Sequence, residues 1–363
     1  MEEGSLTEAD KTAVAEALSR AREFAKARDT SRRVTINDVA RLAGVSKKTI
    51  SRIINDSPNV RARTQVLVRA IMDELAYVPD PAARGLNYGH AFLVGLIYDN
   101  PNPQYVVAAQ EGILGALAGT EYELVVHPCD RASPDILSDI RDFVARHRLY
   151  GVVLTPSVSE DERVADLLRE LECRHVRIAS VELGEPANMM VTRDAHGARE
   201  AARHLTDLGH TRIAHLSGRS GFRSSEERRR GFAQGLEEAG LSLVPGLVME
   251  GDYTFESGER AAERALAMQT PPTAIFCAND AMAVGFIQGL RRAGKRAPDD
   301  MSVVGFDDFP IARTSWPNLT TIHTPTRRYA QAAAVRLLGG EVELIAPPWL
   351  VERDSTARLS DPA

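Results

Sequence analysis

From Ala91 onward, short unbroken apolar runs alternate with amphipathic helical segments, and this alternation limits the possible folds more than anything else in the chain. FLVGLIY precedes a helix near 104–119, YELVVHP one near 134–147, and YGVVLTP one near 160–171; HVRIASV then leads to residues around Val191. A second series runs helix 196–208, RIAHLSG, helix 224–239, GLVMEG and helix 256–268. It closes with TAIFCAN, helix 280–293, SVVGFD, LTTIHT and a helix near 325–339. Continuous Val/Ile/Leu runs between helices belong to parallel sheets covered on both faces. The units are too many for one sheet, so the reading is two doubly wound lobes. Ligands of such sheets bind beyond the carboxyl ends of the strands, and two facing lobes make a cleft there.

Polar residues stand at those strand ends. FLVGLIY runs into Asp99-Asn100 and then PNPQY, with Tyr105; RIAHLSG precedes the helix that carries Arg228. GLVMEG leads to Asp252 and Tyr253, TAIFC to Asn279-Asp280, and SVVGF to Asp307-Asp308. Carboxylates and amides on sugar hydroxyls, with an aromatic ring against the sugar's apolar face, supply orientation and burial together. Competing readings stand beside these: Asp280 and Asp308 suit helix caps or turns, Tyr253 a loop cover, and Arg228, within EERRR, a solvated helix face. Asn279 and Asp307 point most directly into the expected cleft.

The stretch TINDVARLAGVSKKTISRIIN, residues 35–55, has a different character. Thr35 and Asp38 form a capping-box-like start, and Ile36, Val39, Ala40 and Ala43 recur at helical spacing. Gly44 supplies a left-handed turn. Ser46 can cap a second helix with Ile50, Ile53 and Ile54 inside and Lys47, Lys48, Thr49, Ser51 and Arg52 outside. Two short helices joined by a Gly turn, the second basic on its outer face, make a helix-turn-helix suited to the major groove; a solvated αα-hairpin is the bland alternative. Thr64 is expected to open a third helix whose Val68, Ile71, Met72 and Leu75 close a small core, and Pro79 to stop it. In DPAARGL, Asp80 can cap and Pro81 begin a short helix too weak to form without partners. Leu86 beside Arg84 suits a minor-groove wedge better than a flexible linker.

At this point the chain resembles the lactose-repressor (LacI) family of bacterial transcription regulators. VTINDVARLAGVSKKTISRIIN, YVPDPAARGL, ANDAMAVG and VVGFDD occur in the family's order and spacing, over about residues 34–355. The resemblance implies a three-helix helix-turn-helix domain (34–79), a hinge helix and linker (80–90), and a two-lobed, periplasmic-binding-protein-like α/β effector domain (91–355). The first lobe would take about 91–191 plus 323–340, the second about 192–321 plus the C-terminal strand, leaving 356–363 as a tail. It further implies that Lys47, Lys48 and Arg52 read bases, that Thr35, Ser46, Thr49 and Arg61 hold phosphates, and that Leu86 wedges the operator centre. Arg228, Asn279 and Asp307 match effector contacts, Tyr253 an aromatic ligand position, and Asp99 and Tyr105 lie where the first lobe approaches the ligand. Two departures matter. Ser180 stands where some sugar-binding members have Asp, and Lys47-Lys48 differs from the uncharged pair of many members. The extension 1–33 is a third; it reads as an accessory helix, an arm or the product of an upstream start, and no function is assigned to it.

The implied protein is a repressor released from a palindromic DNA operator by a small effector, a sugar being favoured by the acidic and amide-rich strand ends. The alternatives are a corepressor-dependent regulator taking a purine-like or phosphorylated metabolite, and a sugar-binding transport module. One recognition helix reads few base pairs, so a homodimer is expected; the tail APPWLVERDSTARLSDPA has no leucine heptads for a tetramer. Charge agrees: residues 31–90 hold ten Lys/Arg against five Asp/Glu, whereas 91–363 hold 29 against 38. Attraction for phosphate is therefore confined to one segment. No apolar run reaches membrane-spanning length and no signal peptide is evident, which makes the cytoplasm the expected location and disfavours the transport module. The three cysteines are far apart without CxxC, so neither a disulfide framework nor a metal site is expected. Enzyme readings fail as well. SGRSG lacks G-x-S-x-G spacing, there is no HExxH, P-loop or GxGxxG, and the nine histidines show no ligand spacing; no catalytic residue or cofactor is expected.

Overall fold

The computed structural model describes residues 8–28, 32–54, 58–78 and 90–359. The chain divides into two compact units, one up to Ala91 and one from Phe92 onward. The hinge residues Arg84 and Leu86 lie outside the described residues.

The first unit has four described helices: α1 (Glu8–Ala27), α2 (Ile36–Ala43), α3 (Lys47–Ile54) and α4 (Ala62–Glu74). The Thr35 backbone N–H and hydroxyl both donate to the Asp38 carboxylate, at 3.0 and 2.7 Å, which fixes the start of α2. Gly44 closes it at φ +66°, where a Cβ would be strained. Ser46 Oγ accepts the Thr49 N–H at 3.1 Å and so caps α3. Val39, Ile50, Val68 and Ile71 are fully buried, each contributing roughly 1.5–3 kcal/mol of apolar burial. Two expectations are corrected. The third helix of the sequence reading begins at Ala62 rather than Thr64, because Arg61 takes the N-cap position. The core also has a fourth wall: Ala17 and Ala21 of α1 are completely buried in it, with Phe24 packed alongside. Small alanines bring the helices close while adding little to an apolar pattern, so the docking was hard to read from the sequence.

The second unit holds two sheets. The first comprises β1 (Leu93–Tyr98), β2 (Glu123–Pro128), β3 (Gly151–Leu154), β4 (Arg174–Ala179) and β5 (Met189–Val191), in the order β2-β1-β3-β4-β5. Every pairing is parallel; Leu96, for example, lies opposite both Val126 and Val153. The second comprises β6 (Ile213–Ser217), β7 (Val248–Glu250), β8 (Ala274–Cys277), β9 (Ser302–Asp307), β10 (Thr320–His323) and β11 (Trp349–Val351), in the order β11-β10-β9-β8-β6-β7. Only its edge strand β11 runs antiparallel. The connecting helices are α5 (Pro103–Leu117), α6 (Ile136–His147), α7 (Glu162–Glu170), α8 (Asp194–Asp207), α9 (Arg223–Glu238), α10 (Phe255–Leu266), α11 (Asp280–Arg292) and α12 (Pro310–Thr314). After β10 the chain returns to the first sheet as α13 (Thr326–Leu337), whose Tyr329, Ala330, Ala333 and Leu337 share a core with Val94, Ile113 and Val153. Helix pairs approach to backbone contact. A Cβ on Gly231 of α9 would come within 2.0 Å of the Ala195 carbonyl oxygen of α8, and one on Gly112 of α5 within 2.2 Å of that of Arg327. No described helix is long and apolar enough to cross a membrane.

Candidate functional site

Two surfaces collect the residues singled out above. On the first unit, Lys47, Lys48 and Arg52 project from α3 into solvent, while Ile50 and Ile53 anchor its other face. Thr49 and Ser51 flank them half-buried, and the Ser46 and Thr49 hydroxyls lie 2.9 Å apart. Thr35 opens α2 and Arg61 stands exposed at the start of α4. Helix N-termini with hydroxyls beside an exposed basic helix suit a phosphate backbone flanking a groove.

On the second unit, a cleft partly open to solvent lies at the carboxyl ends of both sheets. Of the expected effector residues, Tyr105, Arg228, Tyr253, Asn279 and Asp307 line it. Asp99 does not: its carboxylate turns aside to accept the Ser157 hydroxyl at 3.2 Å, and its neighbours Asn100 and Asn102 face the cleft instead. Asn102 also caps α5 by accepting the Gln104 N–H.

Arg228 organises the floor. Far from a solvated face, its guanidinium is buried and donates through Nε to Asp194 at 2.8 Å and through Nη2 to Asp307 at 3.5 Å. A further bond goes to the Ala278 carbonyl, and the guanidinium carbon stacks 3.8 Å from the centroid of Phe306. Burial works against the Arg228 charge, but the two carboxylates outweigh it and raise its pKa. Asp307 is pushed up to about 7 because burial penalises its charge, Arg228 pulling the other way and Asp194 adding repulsion. Asp307 sits at φ +113° and Tyr253 at φ +69°, conformations non-glycine residues hold only where their surroundings enforce them. For Tyr253 the enforcement is visible: its phenol occupies the space a Cβ on Gly218 would need, and its carbonyl accepts Asn279 Nδ2 at 3.0 Å. Asn279 Oδ1 meanwhile caps α11 through the Met282 N–H, so this amide is largely committed to holding the site together.

The turn-and-cap reading applies to the neighbouring acids. Asp280 accepts the Phe309 N–H at 2.8 Å and the Thr321 hydroxyl at 2.5 Å, and burial raises its pKa well above the usual carboxylate range. Burial also opposes the charge on Asp308, but His323, Arg353 and Arg313 outweigh it and hold its pKa down to about 2.

Sequence reasoning missed several cleft residues. Asp194 and Thr192, joined by a short hydrogen bond, lie on the first crossover, and Thr324, Thr326 and Tyr329 on the second. Thr324 Oγ1 is buried without a protein partner, an open polar position beside the cleft. Glu160, whose carboxylate also takes the Ser180 hydroxyl at 3.3 Å, joins the lobes by accepting the Arg223 N–H at 3.2 Å. Its pKa is raised by burial, against the pull of that N–H. A second link runs from Arg131 Nη1 to the Gly221 carbonyl at 3.0 Å.

Comparison with known proteins returns two family models: bacterial regulatory proteins of the lacI family over residues 35–80, and the periplasmic binding protein-like domain over residues 202–356. The HTH-type transcriptional repressor PurR of Vibrio vulnificus is 33% identical over 312 residues, covering 84% of this chain and 91% of the relative. The Lac repressor dimer bound to operator and the anti-inducer ONPF is similar with a TM-score of 0.75 at 29% identity, over 90% of this chain and 100% of that one. The transcriptional regulator CelR–cellobiose complex is similar with a TM-score of 0.65 at 29% identity, over 89% of this chain and 100% of that one.

Proposed function

Because the chain belongs to the LacI family of DNA-binding transcriptional repressors and is not an enzyme, we propose that it is an effector-controlled repressor whose ligand is a neutral carbohydrate. The observation that carries the ligand class is the ion pairing of Arg228. Its guanidinium faces two buried carboxylates, so no uncompensated cation is offered to a phosphate or carboxylate, and an anionic ligand would meet Asp194 and Asp307. The second lone pair of each carboxylate oxygen, the open Thr324 hydroxyl and the half-buried Tyr105 suit hydroxyl groups on a ring with an apolar face. The relative solved with cellobiose bound agrees with this class. Tyr105, Tyr253 and Phe222 could equally stack a flat base, and this favours the purine-like corepressor as the second reading.

On the DNA side, Lys47, Lys48, Ser51 and Arg52 are proposed to reach base edges, and Thr35, Ser46, Thr49 and Arg61 the phosphates, of a palindromic operator bound by a homodimer. Arg84 and Leu86 are proposed for its centre. Effector binding shifts the balance between lobe arrangements, and a coupling of ~1–3 kcal/mol changes operator affinity about 5- to 150-fold. The test is fluorescence anisotropy on DNA from immediately upstream of the gene, titrated with neutral mono- and disaccharides, uronates, sugar phosphates and purines. Release by a neutral sugar alone supports the proposal. Release by a uronate or sugar phosphate, or tightening by a purine, replaces it. Arg52→Ala should remove the preference for upstream DNA over mixed-sequence duplex while leaving effector binding intact.

A further inference from the structure

We propose that Lys26 and Arg28 at the C-terminal end of α1, together with Arg32 and Arg33 before α2, form a second phosphate-binding surface that widens the DNA contact of the helix-turn-helix. The inference rests on the DNA-binding reading of α2 and α3. The extension is electrically divided: residues 1–19 carry five Asp/Glu and one Lys, whereas residues 20–33 carry six Lys/Arg and two Asp/Glu. The structure fixes which end adjoins α2. Ala17 and Ala21 are completely buried in the core shared with α2 and α4, Arg22 pairs with Glu74 of α4 at 3.1 Å, and Phe24 lies 5.2 Å beneath the Arg41 guanidinium of α2. One turn beyond Phe24, Arg28 continues the helix through its N–H to the Phe24 carbonyl.

Basic side chains follow on the way to Thr35. Lys26, Arg32 and Arg33 are exposed and Arg28 is half-buried. Arg32 reaches Asp38 at 3.5 Å, within the first turn of α2 and beside the Thr35 hydroxyl that is proposed to hold a phosphate. That ion pair is solvent-exposed on the arginine side, so it is weak and leaves the guanidinium able to turn to a stronger anion. Lys26, carried on the docked helix α1, also loses little backbone freedom on binding. The chemistry recognised is the phosphodiester backbone rather than base edges, so the contact adds affinity and salt dependence without sequence preference.

The test compares wild-type protein with K26Q/R28Q/R32Q/R33Q and with the charge-retaining K26R/R28K/R32K/R33K, on a mixed-sequence duplex and on upstream DNA, across a range of salt. Each lost phosphate contact flattens the slope of log Kobs against log salt by about 0.9. The glutamine variant should flatten it by at least about 2 on both DNAs and bind at least about 10-fold more weakly at low salt. The charge-retaining variant should follow the wild type. An unchanged slope in the glutamine variant overturns the proposal. So does an equal loss in the charge-retaining variant, since the effect would then be one of packing. Arg52→Ala separates the two readings: it should abolish the preference for upstream DNA, whereas the glutamine variant should keep that preference while weakening both DNAs alike. A wild type with no such preference would sink the operator reading and leave the slope comparison standing.

Discussion

Arg228→Met removes the guanidinium at the floor of the cleft while keeping most of its apolar volume. Arg228 is 8% exposed and its partners Asp194 and Asp307 are 2% and 5% exposed, so the variant leaves two carboxylates facing each other away from water. Removing one member of a buried ion pair costs about 3–5 kcal/mol. Asp307, already lifted to about 7, can escape part of that cost by taking up a proton, so the expected loss near neutral pH is at the lower end, about 3 kcal/mol. Asp194→Asn in the same background should restore about 1–2 kcal/mol, because residues of one buried network couple by ~0.5–3 kcal/mol. Urea unfolding followed by tryptophan fluorescence isolates the relevant unit, since both tryptophans, Trp316 and Trp349, lie in it. A loss below about 1 kcal/mol, or one that Asp194→Asn leaves unrepaired, would mean that water rather than the two aspartates compensates this charge. A neutral ligand would then no longer be favoured over an anionic one.

Three further outcomes are expected. Asp307 binds its proton more tightly folded than unfolded, so its stabilising contribution is complete at low pH and is lost as pH rises through about 7; the urea midpoint should drop across that range, and Asp307→Asn should flatten the drop. Gly231→Ala drives a methyl into the Ala195 carbonyl and should cost about 1–3 kcal/mol by overpacking, read as a lower melting temperature; no change would show that α8 and α9 slide apart freely. Asn279→Ala removes both the cap of α11 and the tether on the Tyr253 carbonyl; it should cost roughly 1–3 kcal/mol and weaken effector binding in calorimetry, and a stability loss without an affinity change would dissociate Tyr253 from the ligand.

The fold was legible because parallel strands buried on both faces need apolar residues in succession, and FLVGLIY or SVVGFD can hardly serve another purpose. Thr35 with Asp38, and Gly44 after Ala43, were equally plain, since caps act within one turn of chain. Residues at strand ends followed from topology, and Tyr253, Asn279 and Asp307 do meet at the cleft. What stayed hidden depends on contacts distant in sequence. Asp194 looks like a helix start, and becomes Arg228's partner only because Gly231 lets α8 and α9 touch. Glu160 falls at the start of the helix read near 160–171, where the local pattern names no partner for it, yet it bridges the lobes. Asp99 was misdirected by one residue: the strand end was right, but Ser157 drew the side chain away and Asn100 took its place.

The return of α13 to the first sheet has a consequence for how the protein is made. A ribosome delivers β5 roughly 135 residues before α13, an interval of ~7–27 s at ~5–20 residues per second. Through that time Val94, Ile113 and Val153 lack the cover that Tyr329, Ala330 and Ala333 later provide, while the second lobe is being completed between them. The nascent first lobe is then an incomplete sheet with an uncovered apolar face, the kind of surface on which aggregation begins and to which chaperones bind. Closure of the first lobe therefore waits on α13, and a transcript truncated before residue 326 would yield a first lobe that never closes its core.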